Sequence, residues 1–179
     1  MKKCVEELAE YIGKNIVVGV GRKRIEKLLL NGFVVGVSEK LVLLHVVNGS
    51  TLTLNGYSAI RVYDMRSFQV DGSIFTRALE ALGRKPTIPE GIDCTGWAEL
   101  IASVHYKGLL VSIETEKLEP GSCYIGRVAS LTMRSVSIEK VDTECEWGET
   151  EKFLFKDITQ ITFDDGFTNG LALLLAGDA

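Results

Sequence analysis

Two eight-residue stretches of the sequence follow the same pattern, Asp64-Met65-Arg66-Ser67-Phe68-Gln69-Val70-Asp71 and Asp157-Ile158-Thr159-Gln160-Ile161-Thr162-Phe163-Asp164. Each copy opens with an aspartate and an apolar residue. Apolar residues then alternate with polar ones, which is typical of a β-strand with one buried face. The second copy lies 93 positions after the first, so the stretch indicates an internal repeat.

The repeat extends outward from this strand in both directions. Four apolar or alternating runs precede it in each half, at 16–20, 33–37, 42–44 and 57–62 and then at 109–113, 124–128, 136–138 and 152–155. A helical spacing of i, i+3, i+4 and i+7 precedes each set, in Val5, Leu8, Ala9 and Ile12 and in Trp97, Leu100, Ile101 and Val104. A second helical pattern follows each set, in Ile74, Ala78, Leu79 and Leu82 and in Phe167, Leu171, Ala172 and Leu175. Each half is therefore predicted to form a helix, five short strands and a second helix.

A proline-containing segment separates the two halves. Pro86 and Pro89 both fall within residues 84–94, and proline cannot continue a helix or donate a backbone hydrogen bond. We therefore predict two domains, residues 1–83 and 95–179, joined by a linker at 84–94. Thr95 is predicted to be the N-cap of the first helix in the second domain.

The composition is that of a globular protein, with 46% hydrophobic and 25% charged residues. The longest apolar stretch, residues 171–176, is far shorter than the ~20 residues that span a bilayer. The N-terminus lacks the continuous apolar core of a secretion signal. We therefore expect a cytoplasmic protein that does not associate with membranes.

Charge is divided unevenly between the halves. Residues 1–93 contain 13 Lys and Arg against 10 Asp and Glu, whereas residues 94–179 contain 7 against 14. Two similar units with different surface charge are expected when one unit binds a partner and the other supports it. They are also expected when exposed, solvated residues change without any effect on function.

No pattern in the sequence indicates catalytic chemistry. The four cysteines form no C-x-x-C pair, and only two histidines are available, so we expect free thiols and no metal site. Gly19 and Gly21 are followed by Arg24 where a dinucleotide-binding loop would have its third glycine, so no cofactor is expected. The sequence favours a protein that is not an enzyme, with an enzyme site between the two domains as an alternative.

The strand order and the Asp-apolar element before the last strand resemble Sm-like barrels of the SH3-like class. The resemblance implies a mostly β fold of two tandem five-stranded small barrels, each preceded and followed by a helix, which leaves no unpaired strand edge. Sm proteins that bind RNA usually carry an Asp and an Asn between their second and third strands, and a basic residue followed by Gly before the last strands. Residues 37–42 and 129–134 contain no Asn, and residues 60–64 and 154–157 contain no Gly.

The densest basic cluster and a second basic pair are the candidate binding residues: Arg22, Lys23, Arg24 and Lys27, with Arg61 and Arg66 on either side of Asp64. Cationic side chains can contact phosphates, or they can serve as charged residues of a solvated hairpin. We therefore predict a binding or scaffold protein whose partner, a protein or RNA, the sequence does not identify. These six residues are the predicted binding residues, and an RNA-binding Sm-like protein is the alternative.

The C-terminal helical pattern has apolar residues on more than one face, in Leu171, Leu173, Leu174 and Leu175. Such a helix must be covered, either by packing between the two barrels or by a subunit interface. The sequence therefore predicts a homo-oligomer assembled through the C-terminal helix.

Overall fold

The computed structural model describes residues 2–22, 25–71 and 74–177. The chain divides into two compact units, Met1–Glu90 and Gly91–Ala179. Both are mostly β, as the sequence predicts, and the boundary between them falls inside the predicted linker at 84–94.

The first unit consists of a helix, five antiparallel strands and a second helix. Its elements are α1 (Lys2–Ala9), β1 (Val17–Gly21), β2 (Leu29–Val37), β3 (Leu41–Asn48), β4 (Thr53–Arg61), a 3₁₀ turn (Val62–Asp64), β5 (Ser67–Asp71) and α2 (Ile74–Ala81). The strands lie in the order β5-β1-β2-β3-β4. The last strand in sequence therefore pairs with the first.

The second unit repeats this arrangement. Its elements are α3 (Trp97–Tyr106), β6 (Val111–Glu114), β7 (Cys123–Leu131), β8 (Ser135–Val141), β9 (Trp147–Leu154), β10 (Gln160–Phe163) and α4 (Gly166–Gly177). The strands lie in the order β10-β6-β7-β8-β9, again with the last strand beside the first.

The two units also share their irregularities. The β2–β3 ladder shifts register between Val34 and Gly36, and the β7–β8 ladder shifts between Val128 and Ser130, 94 positions later. The bulges of the β3–β4 and β8–β9 ladders are likewise 94 positions apart. A bulge is a specific local departure from regular pairing, so its recurrence shows that the two units have the same backbone plan.

The predicted closure of each set of strands into a barrel is not confirmed. In the described residues β5 pairs with β1 and β4 pairs with β3, but no ladder joins β5 to β4. The same holds for β10 and β9 in the second unit. Each unit is therefore an open antiparallel sheet, in which the fifth strand is five residues long in the first unit and four in the second.

The first unit has two core clusters, one of which includes Leu79 of α2, while the other lies between α1 and one face of the sheet. The latter combines Leu8 of α1 with residues of β1, β2, β3, β4 and the turn that follows β4: Val18, Val20, Val34, Val42, Leu44, Ile60, Val62 and Met65. In the second unit α3 contributes Leu100, Ile101 and Val104, all fully buried. Burial of each such side chain stabilises the fold by about 1.5–3 kcal/mol, which explains why the helical spacing predicted these residues correctly.

The first turn of α3 and the linker differ from the predictions. Gly96, not Thr95, is the N-cap of α3, and the Thr95 N–H instead donates to Asp93 Oδ1 at 2.8 Å. Residues 84–90 belong to the first unit, where the Thr87 N–H donates to His45 Nδ1 at 3.1 Å. This part of the predicted linker is therefore anchored to β3.

Candidate functional site

Two of the predicted basic residues, Arg22 and Arg66, lie close together in the first unit. The pairing of Gly21 with Ser67 brings Arg22 and Arg66 to neighbouring strand ends, and the Arg66 N–H donates to the Gly21 carbonyl at 2.9 Å. However, the Arg22 side chain is only 2% exposed, and its Nη2 contacts Glu26 Oε2 at 3.2 Å. Arg22 is therefore a buried, ion-paired residue.

Arg61 is also turned inward. Its Nε donates to Asp64 Oδ2 at 2.6 Å, and the Asp64 side chain is only 1% exposed. This ion pair spans the 3₁₀ turn that leads from β4 to β5. Among the six predicted binding residues, Lys27 and Arg66 are exposed, whereas Lys23 and Arg24 lie outside the described residues.

A different surface stands out in the second unit, at the turn between β7 and β8. Met133 at the tip of this turn is 92% exposed. The turn is held by Thr132, whose N–H donates to the Ser135 carbonyl at 2.9 Å. Thr132 Oγ1 in turn accepts from the N–H groups of Arg134 and Ser135, at 3.2 and 3.1 Å. A well-fixed backbone therefore presents a large apolar side chain to solvent.

Met133 lines two clefts, of which the first is shallow and open to solvent. The first has a volume of about 420 Å³ and is lined by Ala98, Glu99, Ala102, Leu131, Thr132 and Met133. The second has a volume of about 470 Å³ and is lined by Met133, Arg134, Leu154, Phe155 and Lys156. We call the residues of these two clefts the Met133 surface. The Phe155 N–H donates to the Arg134 carbonyl at 2.9 Å, so the turn and the end of β9 are held together.

The charges on this surface are arranged asymmetrically. Arg134 and Lys156 are exposed beside the second cleft, whereas Glu99 is exposed beside the first. Residues 91–179 contain 7 Lys and Arg against 15 Asp and Glu, so this basic edge lies in an acidic unit. The surface therefore combines apolar side chains with one basic and one acidic edge.

The first unit has the same turn but a different surface. The Ser38 N–H donates to the Leu41 carbonyl at 2.8 Å, and Ser38 Oγ accepts from the N–H groups of Lys40 and Leu41. These contacts match those of Thr132, 94 positions later. Glu39 takes the place of Met133, so the equivalent turn carries a carboxylate at its tip.

The sequence analysis did not single out Met133, although a signal was present. Aligning the two copies of the turn places an acidic residue against an apolar one between residues that are otherwise similar in type. This alignment would have shown that the second copy has an apolar residue, Met133, at the tip of a turn that is otherwise polar.

The titratable groups with clear shifts lie outside the Met133 surface. Burial raises the pKa of the Cys4 and Cys94 thiols, and the neighbouring Asp93 carboxylate raises the pKa of Cys94 further. Tyr124 donates a hydrogen bond to the Glu119 carboxylate, which raises the pKa of Tyr124 to about 12. Within the described residues, no group of three or more His, Cys, Asp or Glu side chains is placed to hold a metal ion.

The C-terminal helix α4 exposes much of its apolar surface. Phe167, Leu173 and Leu174 are 66%, 76% and 59% exposed, and Thr168 is the buried residue of this helix. No helix in the described parts of the chain is both long enough and apolar enough to cross a membrane.

Comparison with known proteins gives no significant match to a protein family, a curated protein or a solved structure.

Proposed function

We propose that the protein is a non-enzymatic binding or scaffold protein built from two tandem small barrels of the SH3-like, Sm-like class. Two features support this class for each unit: the strand order and the short connection between the fourth and fifth strands. In the first unit, a core shared by several strands and the leading helix supports it further. The matching bulges further support descent of both units from one duplicated ancestor.

The observation that carries the binding function is the exposure of Met133 between two clefts. Isolated apolar residues are common on protein surfaces, but contiguous apolar patches mark sites of interaction. Met133 lines one cleft with Leu154, which is 39% exposed, and the other cleft with Ala98 and Ala102 of α3, so apolar side chains adjoin Met133 on both sides. Methionine suits a binding surface because its unbranched side chain adapts to the shape of a partner.

In this proposal the second unit binds and the first unit supports it. Both units use the same turn, but the first has Glu39 where the second has Met133. Binding through the second unit is therefore expected to respond to changes at Met133 and not to changes at Glu39.

The test is affinity capture from native lysate with wild-type protein, Met133→Glu and the matched control Glu39→Gln. Because both side chains project from turns, neither substitution should alter the circular dichroism spectrum. We expect Met133→Glu to lose partners that wild type and Glu39→Gln retain. Equal capture by all three proteins would contradict the proposal.

RNA binding through the basic residues of the first unit is the weaker alternative, because Arg22 and Arg61 are engaged in ion pairs. A nuclease-treated arm of the same capture tests it. Loss of captured material after nuclease treatment, with no effect of Met133→Glu, would favour RNA.

We also propose that the protein self-associates through α4, on the basis of its exposed Phe167, Leu173 and Leu174. Size-exclusion chromatography with light scattering should show an oligomer that Leu173→Glu dissociates. A wild-type monomer at micromolar concentration would contradict this assembly.

A further inference from the structure

We propose that the Met133 surface binds helix α4 of a second copy of this chain. This inference rests on the proposed self-association through α4 and names the surface that receives the helix. The contact is heterologous, because one copy contributes α4 and the other contributes the Met133 surface.

The exposed face of α4 has a notch surrounded by apolar side chains. Phe167 lies three residues before Gly170, and Leu173 and Leu174 lie three and four residues after it, so all three side chains neighbour Gly170 on the helix surface. Each of the three is more than half exposed. A β-carbon at Gly170 would meet no atom within 4 Å, so the space beside this glycine is open. An apolar side chain of a partner can therefore enter between them.

Met133 has the shape that such a notch receives. Its side chain is 92% exposed at the tip of a turn whose backbone is held by Thr132. Helices of coiled coils interlock in the same way, with one side chain entering a hole formed by four residues of the facing helix. With Met133 in the notch, the large side chains of α4 would lie over the second cleft, which Leu154 and Phe155 line.

The helix comes from another copy because the two surfaces are held apart within the second unit. Cys145 Sγ lies 4.0 Å from the carbonyl oxygen of Leu171, so the middle of α4 lies beside the turn between β8 and β9. Met133 belongs to the turn between β7 and β8. These turns are at opposite ends of β8, whose seven residues span about 20 Å. Both surfaces therefore stay available to other copies.

The charges of the two surfaces are compatible. From Phe167 to Leu174, α4 contains no ionisable side chain. Glu99 and Arg134 are exposed beside the two clefts, so they meet no like charge from this part of the helix and can stay hydrated. An uncharged helix face also avoids the free-energy cost of removing a charge from water.

The exposed apolar area indicates a reversible contact. The exposed fractions of Met133 and of the three apolar side chains around Gly170 amount to about three complete large side chains. At roughly 150 Å² each, these side chains supply about 450 Å² of apolar surface. A stable complex buries about 1,600 Å² in total. We therefore expect the copies to associate with a dissociation constant in the micromolar range.

The experiment combines variants that each keep one half of the contact. Met133→Glu alters the receiving surface and leaves α4 intact, whereas Leu173→Glu does the reverse. Sedimentation velocity of the full chain measures association of wild type, of each variant alone and of their equimolar mixture, at rising protein concentration. Both side chains are largely exposed, so circular dichroism should show that both variants fold.

We expect the mass of wild type to rise with concentration, because a heterologous contact can repeat from copy to copy. Each single variant should associate at least about tenfold more weakly than wild type. Their mixture should form a complex of two chains, since the intact α4 of Met133→Glu can bind the intact Met133 surface of Leu173→Glu. A double variant keeps neither half and should bind neither single variant.

Two further substitutions in α4 test the notch. Ala172 is exposed and lies two residues after Gly170, about 200° around the helix, so Ala172→Glu should associate like wild type. Gly170→Leu fills the notch at a place where the fold has room for a side chain, and it should weaken association at least about tenfold. Association of Gly170→Leu at wild-type strength would exclude the notch as the binding element.

The inference would be overturned if the mixture of variants stayed monomeric or if Met133→Glu associated like wild type. If Leu173→Glu alone dissociates the complex, α4 packs against another surface and the proposed self-association stands. If capture from lysate depends on Met133 while the mixture stays monomeric, the partner is not a second copy and the proposed binding function stands. A wild type that is monomeric at every concentration would contradict both this contact and self-association through α4.

Discussion

Gly126→Ala is expected to destabilise the second unit strongly, because β7 and β8 approach each other closely at this residue. A β-carbon at position 126 would lie 2.1 Å from the carbonyl oxygen of Glu139 and 2.8 Å from its carbonyl carbon. Both atoms belong to the backbone of the paired strand, so no side-chain rotation can relieve the contact. Gly32 is the equivalent residue of the first unit, where a β-carbon would lie 2.7 Å from the His45 carbonyl oxygen.

The size of the effect follows from these distances. Ordinary contacts of a β-carbon begin at 3.4 Å, so the strands would have to separate by more than 1 Å at Gly126 and by about half as much at Gly32. Overpacking a well-ordered site typically costs about 1–3 kcal/mol. We expect a loss of about 3 kcal/mol in the free energy of unfolding for Gly126→Ala and about 1.5 kcal/mol for Gly32→Ala.

Chemical denaturation followed by tryptophan fluorescence measures the Gly126→Ala effect, because both tryptophans, Trp97 and Trp147, belong to the second unit. Gly170→Ala is the matched control. Gly170 lies in α4, and a β-carbon there meets no atom within 4 Å. This control should stabilise the protein by about 0.5–1 kcal/mol through helix propensity. A Gly126→Ala protein as stable as wild type would refute the close approach of the two strands.

Three further predictions concern individual side chains. Cys123 is exposed, whereas burial raises the pKa of the Cys94 thiol. Iodoacetamide should therefore label Cys123 before Cys94, and mass spectrometry measures the two rates. Faster labelling of Cys94 would contradict its burial. The pKa of Tyr124 is raised to about 12, so an absorbance titration should show this tyrosine losing its proton near pH 12. Glu119→Gln should lower that pKa toward the ordinary value of a tyrosine. An unchanged pKa in this variant would exclude the hydrogen bond to Glu119 as the cause of the shift. Asp64→Ala should lower the free energy of unfolding by about 3 kcal/mol, because a largely buried guanidinium loses its carboxylate partner. A denaturation midpoint close to that of wild type would exclude a structural role for this ion pair.

The order of elements in each unit was predictable because hydrophobic periodicity depends on which residues face the core. Leu8 and Leu100, at matching places in the two helical patterns, are both fully buried. Closure of the barrels was not predictable in the same way. Alternation identifies strands, but pairing between the fourth and fifth strands depends on the path of the connection, which here is a turn of three residues, Val62–Asp64, in the first unit.

The basic candidates show a different limit of sequence reasoning. Cations were treated as exposed because a charged side chain is rarely buried alone. Arg22 is buried and Arg61 is largely buried, and each forms an ion pair, with Glu26 four residues later and with Asp64 three residues later. The sequence contained both spacings, which are those of side chains that meet on one turn of a helix. The prediction of a binding patch missed these two ion pairs because it considered the arginines without the carboxylates that follow them in the sequence.

The two turns explain how one backbone plan can carry two different surfaces. Ser38 and Thr132 hold their turns through bonds from a hydroxyl to backbone N–H groups, and none of these bonds involves the side chain at the tip. Glu39 and Met133 can therefore replace each other at little cost to stability, because an exposed position away from such bonds tolerates substitution within about 0.5 kcal/mol. A duplicated unit can change its binding surface at this position without changing its fold. Glu39→Met should therefore create an exposed apolar side chain at the tip of the turn in the first unit. Whether that side chain binds a partner then depends on the shape of the surface beside the turn.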